Sequence, residues 1–118
     1  MSVEQTDVVD AIGTDLESGA VVLTIIDHLP WHGNHLDTLK RKLGSYIRFV
    51  ESGQLVENYP TAKGQPIEIR ILVKYRPTDV ALHFLEEASR LFLQRDIRLQ
   101  YGPIPDQGYR PVEDPVVK

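Results

Sequence analysis

Cysteine is absent from this chain of 118 residues. Its absence excludes disulfide bonds, thiolate nucleophiles and cysteine-ligated zinc or iron–sulfur sites, which leaves histidine and carboxylate side chains as the available metal ligands. Long hydrophobic runs are missing too, because no apolar stretch approaches the roughly 20 residues of a membrane-spanning helix. The start of the chain is polar and acidic, unlike the basic and then apolar start of a secretory signal. We therefore expect a cytoplasmic protein with no membrane partner.

Basic residues are fewer than acidic ones, with 13 lysines and arginines against 17 aspartates and glutamates. Nucleic-acid binding depends on clustered basic side chains that neutralise phosphates. The one basic run, at 40–42, would spread around a helix, so we expect no nucleic-acid partner. A hydrophobic content of 42% and a charged content of 25% are typical of a soluble globular protein, and the length is that of about one domain.

The hydrophobic pattern predicts one α+β domain over residues 1–101. Alternation of apolar and polar residues over 67–75 and 97–101 indicates two strands. Two further extended segments, over 8–12 and 20–27, are joined by a glycine-containing turn, which predicts an antiparallel hairpin.

Two amphipathic helices are predicted where apolar residues recur every three or four positions, after Asn34 and again after Thr78. The sequence between them also allows a short strand over 54–57. The order β-β-α-(β)-β-α-β predicts a two-layer sandwich, with both helices on one face of a four- to five-stranded mixed sheet. With the short strand, the order from residue 20 matches a ferredoxin-like fold with an extra N-terminal strand. The prolines in 102–118 predict an extended tail that either docks on the surface or stays mobile.

Side chains with reactive groups concentrate in nine residues, 27–35, which hold three of the four histidines and the only tryptophan. Asp27, His28 and His35 are ligand types suited to zinc, nickel or iron, so a metal or ligand site is one interpretation. The other interpretation is structural: Asp27 accepts backbone N–H bonds at the strand–helix turn, and Trp31 closes the end of the core. No HExxH or related motif fixes a metal geometry, so we expect no cofactor and assign no catalytic residue.

The sheet face opposite the helices is predicted to mix charged and apolar side chains. Glu68, Arg70, Lys74 and Arg98 alternate with inward-facing residues on their strands and would share this face. Such a face is usually left to water, but a mixed surface also suits a second subunit or another protein. The candidate contact residues for a ligand or partner are Asp27, His28, Trp31, His35, Arg70, Lys74 and Arg98.

Several segments resemble a family of small bacterial proteins catalogued as a domain of unknown function. The likeness is carried by residues 7–13, 27–31, 35–36, 51–54 and 74–75, and its most distinctive parts are the motifs Asp-His-Leu-x-Trp and Glu-Ser-Gly-Gln. It covers most of the first 95 residues or so. The resemblance implies a bacterial source and brings no activity with it.

These observations favour a non-enzymatic interaction protein: a homodimer, an accessory protein or an immunity-type partner of another bacterial protein. The small acidic domain and the mixed sheet face motivate this hypothesis. The alternative is a small metal- or ligand-binding protein or hydrolase that uses Asp27, His28, Trp31 and His35.

Overall fold

The computed structural model describes residues 11–105. A short 3-10 turn, Pro60–Ala62, precedes the third strand. The helices and strands in chain order are β1 (Ala11–Thr14), β2 (Val21–Asp27), α1 (His35–Glu51), α2 (Gln54–Asn58), β3 (Ile67–Val73), α3 (Asp79–Leu93) and β4 (Ile97–Pro103).

The four described strands form one mixed sheet in the order β1-β2-β3-β4. The predicted hairpin is confirmed, since β1 pairs antiparallel with β2, while β2, β3 and β4 run parallel. Crossovers of the usual right hand place α1 and α3 on the same face of such a sheet. The ammonium of Lys40 on α1 lies 5.4 Å from the ring centroid of Phe84 on α3, so the two helices are neighbours. The predicted α+β sandwich is confirmed.

The core lies between the sheet and the two long helices. Alternate strand residues, such as Leu23, Ile71 and Leu99, point inward and meet the apolar stripes of the helices, which include Leu39 and Leu85. This is the burial that the alternating and helical patterns predicted, because one face of each element is apolar. Among residues 11–105, no helix is long and apolar enough to cross a membrane.

The segment 54–57 is helical, so the prediction of a short strand there was wrong. Gly53 adopts a left-handed conformation with φ 92°, which ends α1 and lets the chain enter α2 in a new direction. Leu55 is then buried in the core, and the Tyr59 N–H bonds to its carbonyl. Without that strand, the ferredoxin-like order does not form, and β2 pairs directly with β3.

Two strands extend past their predicted ends. β1 continues to Thr14, and the turn after it is held by the Asp15 carboxylate, which accepts the N–H groups of Glu17 and Ser18. These two hydrogen bonds hold the pKa of Asp15 below its usual range. β4 extends two residues past its predicted end, and Tyr101, which continues the alternation of buried Ile97 and Leu99, is 36% exposed.

Some sequence predictions fall outside the described residues. They are the part of the first strand at 8–10 and the proline-rich tail from residue 106 onward. The division into a domain over 1–101 and a tail over 102–118 stays a prediction.

Candidate functional site

Asp27 is the last residue of β2 and is completely buried. It continues the inward-facing row of Leu23 and Ile25, so a carboxylate stands where the strand pattern would place an apolar side chain. Its Oδ1 accepts the backbone N–H of Leu29 at 3.1 Å, and its backbone carbonyl accepts the N–H of Lys74 at 2.9 Å. Asp27 therefore fixes both the turn after β2 and the pairing of β2 with the end of β3.

His35 opens α1 and supplies the second hydrogen-bond partner of that carboxylate. Its Nε2 lies 2.6 Å from Oδ2 of Asp27, and its Nδ1 lies 2.9 Å from the carbonyl oxygen of Pro30. A carbonyl oxygen can only accept, so Nδ1 carries a proton, and a second proton lies between Nε2 and Oδ2. Both nitrogens of a side chain that is only 3% exposed are thus engaged within the protein.

Trp31 covers His35 and joins the pair to β3. The two rings stack with centroids 4.0 Å apart and planes inclined by 22°. The indole Nε1–H donates to the backbone carbonyl of Tyr75 at 2.9 Å, just beyond the end of β3. We call Asp27, His35 and Trp31 the polar cluster; it ties the ends of β2 and β3 to the start of α1.

The chemistry open to the polar cluster is limited by these contacts. A metal ion or a substrate proton would need a ring nitrogen of His35, which would first have to release Asp27 or Pro30. Among the described residues, no group of three or more histidine, aspartate or glutamate side chains is placed to hold a metal ion. His28 and His32 are exposed, while Asp27 and His35 are buried, so the structure separates the histidines that the sequence brings close together.

A cavity of about 340 Å³ adjoins the polar cluster between the N-terminal ends of α1 and α3. Trp31, Leu36 and Val80 are among its walls. It lies at the carboxyl edge of the parallel strands, where open α/β sheets often bind ligands. In those sheets the crevice opens where helices on opposite faces diverge, whereas here both helices share one face. The cavity is therefore a space between two helix ends rather than such a crevice.

The basic residues predicted on the opposite sheet face do not all meet at one point. Arg70 donates from Nε and Nη2 to the Glu68 carboxylate at 2.9 and 2.7 Å, and Glu68, predicted to be on a wet face, is buried beside this partner. Arg98 is in register with Glu68, while Lys74 lies six residues farther along and past the end of β3. Six strand residues span about 20 Å, so Lys74 and Arg98 cannot contact one small ligand together.

The structure also has an apolar groove on the outer side of the helical layer, which the sequence patterns did not predict. The groove encloses about 400 Å³ between α1 and α3. The sequence contains one indication of this groove. Phe84 and Leu91 widen the apolar stripe of α3 beyond the side that packs on the core. Leu91 is 57% exposed. We call this surface the helix groove; it is lined by Lys40, Leu43, Gly44, Ile47, Phe84, Glu87, Ala88, Leu91 and Phe92.

Comparison with known proteins identifies a family and no individual relative. A family model with the description "Family of unknown function (DUF6572)" matches residues 1–105, which include every described element. No curated protein and no solved structure matches the chain. The chain therefore belongs to the DUF6572 family, a family of unknown function.

Proposed function

We propose that this protein is an interaction module that binds a protein partner through the helix groove. The observation that carries the proposal is the groove itself, an apolar concavity on the outer side of the helices. Single exposed leucines are common on protein surfaces and need no explanation. Here, however, exposed Leu91 and the half-buried Ile47, Phe84 and Phe92 line one continuous space.

The composition of the groove is that of a protein interface. Aromatic and aliphatic side chains form most of its lining, together with two charged residues, Lys40 and Glu87. Interfaces commonly combine an apolar centre with a polar rim, and aromatic anchors in such centres supply much of the binding energy. The proposal includes an accessory or immunity-type role in the bacterial cytoplasm, as composition and family resemblance led us to expect.

The polar cluster supports an interaction role by its internal hydrogen bonding. The side chains of Asp27 and His35 form hydrogen bonds with each other and with backbone atoms of the 27–35 turn. A general base needs a free nitrogen within reach of the proton that it removes. The cluster thus has the arrangement of a structural connection between β2, β3 and α1.

Site-specific cross-linking tests the proposal with two neighbouring leucines of α3. A photoreactive phenylalanine analogue is placed at Leu91, which lines the groove, or at Leu93, which is 63% exposed and lies outside it. After irradiation of cells of the native host, we expect mass spectrometry to identify one adduct protein for position 91 and none for position 93. Equal adducts at the two positions, or none at position 91, would contradict the proposal.

Ligand binding beside the polar cluster is the second candidate function. The observation in its favour is the cavity of about 340 Å³, which has Trp31, an aromatic side chain suited to stacking, in its wall. Metal binding or hydrolysis at the same place requires more, because His35 must exchange one of its two hydrogen bonds for the ion or substrate. An uncharged ligand that only packs against Trp31 makes no such demand.

A further inference from the structure

We propose that the occupant of the helix groove is a second copy of this chain. The two copies pack about a two-fold axis parallel to the helices, so that α1 of each faces α3 of the other. This inference rests on the proposed function, because it names the partner that the groove binds.

The alignment of α1 and α3 along their common direction determines which residues of the two copies would lie opposite each other. Lys40 contacts the Phe84 ring near one end of the helices, and Glu51 accepts a 2.8 Å hydrogen bond from Arg95 at the other. Both pairs are 44 residues apart, so the helices run parallel with residue n of α1 level with residue n + 44. Rotation about a two-fold axis parallel to the helices does not change the position of a residue along that axis. Gly44 of one copy then lies opposite Ala88 of the other.

Exposed charges on the two helices are complementary. Apart from the residues that pair within one copy, Glu51 with Arg95 and Glu87 with Arg90, α1 exposes three basic residues and one acidic residue, while α3 exposes two acidic residues. Packing α1 against α3 of the second copy brings unlike charges together, whereas packing α1 against α1 brings basic residues together. These exposed charged residues are Asp37, Lys40, Arg41 and Arg48 on α1, and Asp79 and Glu86 on α3.

Gly44 is a feature that folding of a single copy does not require. Glycine in the middle of a helix is unfavourable relative to alanine. A Cβ atom built on Gly44 would meet only the Nη1 atom of Arg48, at 3.6 Å, which is ordinary van der Waals contact. Alanine would therefore fit within one copy. A glycine that lines an apolar groove, level with the small side chain of Ala88, allows a helix from outside to approach closely.

The size of the helical face predicts a weak dimer. Helices of 17 and 15 residues are about 25 Å long, and side by side they present a face of about 500 Å². Two such faces bury about 1,000 Å² in total, which is near the lower limit for a specific interface. We therefore expect dissociation in the micromolar range.

Sedimentation equilibrium of the full chain over a dilution series tests the inference. We expect the wild-type chain to be dimeric at about 500 µM and to dissociate on dilution to about 5 µM. Leu91→Glu should weaken association at least tenfold, whereas its matched control, Leu93→Glu, should leave it unchanged. Both side chains are exposed, so circular dichroism should show native folding for both variants. Gly44→Ala should raise the urea midpoint of the monomer and weaken association, two opposite effects that a purely structural role would not produce.

The orientation of the two copies has a test of its own. Arg41→Glu should weaken the dimer, because Arg41 would face the acidic residues of α3 in the second copy. Adding Glu86→Arg to the same chain should restore association. A double variant as weak as Arg41→Glu alone would overturn the two-fold arrangement.

Failure of the inference can be told apart from failure of the proposed function. A wild-type chain that is monomeric throughout, or equal effects of Leu91→Glu and Leu93→Glu, would overturn the second copy as occupant. If cross-linking at Leu91 then identifies a different protein, the groove keeps its function and only the inference fails. If position 91 yields no adduct as well, both fail.

Discussion

Replacing Asp27 by alanine should lower the free energy of unfolding by about 3–5 kcal/mol. The change removes the hydrogen-bond partner of His35 Nε2 at 2.6 Å and the acceptor of the Leu29 N–H. Because His35 is only 3% exposed, its Nε2 loses a partner in a buried position. Urea unfolding followed by circular dichroism measures the loss against Asp37→Ala, a control that removes an exposed carboxylate from the first turn of α1.

Asp27→Asn separates the charge of the carboxylate from its hydrogen bonds. The amide oxygen still accepts from Leu29, and the amide N–H can donate to Nε2 of a neutral His35 whose proton stays on Nδ1. We expect this variant to lose about 1–3 kcal/mol, less than Asp27→Ala. If Asp27→Ala were no worse than Asp37→Ala, the polar cluster would not be the connection that we describe.

Replacing Trp31 by alanine should cost about 3–5 kcal/mol, the range for truncating a large buried aromatic side chain. The variant loses the ring stacked on His35 and the indole hydrogen bond to the Tyr75 carbonyl. Trp31→Phe keeps an apolar ring but removes the indole N–H that donates to that carbonyl, so its loss should be smaller, about 1–3 kcal/mol. Unfolding must be followed by circular dichroism, because Trp31 is the only tryptophan.

Comparing the stability losses of Trp31→Ala and Trp31→Phe separates the contribution of the ring from that of the indole N–H. Equal losses in the phenylalanine and alanine variants would assign the whole effect to the indole N–H. A loss below about 1 kcal/mol in Trp31→Ala would contradict the view that Trp31 joins β3 to α1.

The strands and long helices were predictable because their patterns depend only on near neighbours. The alternation through Ile69 and Ile71 marks a half-buried strand wherever that strand lies in the fold. The same holds for the stripe through Leu39, Leu43 and Tyr46, which is apolar on one side of a helix. The element order and the usual handedness of crossovers predict that both helices lie on one face of the sheet.

The segment after α1 was harder to predict because two apolar residues are too few to show a period. Leu55 and Val56 fit a strand edge and a helical turn equally well. What decides between them is tertiary: the left-handed Gly53 redirects the chain so that Leu55 reaches the core. No local pattern contains that information.

Sequence spacing located the polar cluster but could not choose its members. Asp27 and His35 are eight residues apart, and they meet only because the turn between them reverses the chain from the end of β2 into α1. The same turn leaves His28 and His32 at the surface. The helix groove was missed because it depends on the distance between two helices, which neither helix encodes alone.

Heteronuclear NMR spectra recorded over a dilution series test most directly whether the helix groove, and not the polar cluster, is the binding surface. We predict that dilution shifts the backbone amide signals of Gly44, Ile47 and Leu91, while the Trp31 indole signal stays fixed. Shifts confined to Trp31 and His35, with the groove signals unchanged, would contradict this prediction.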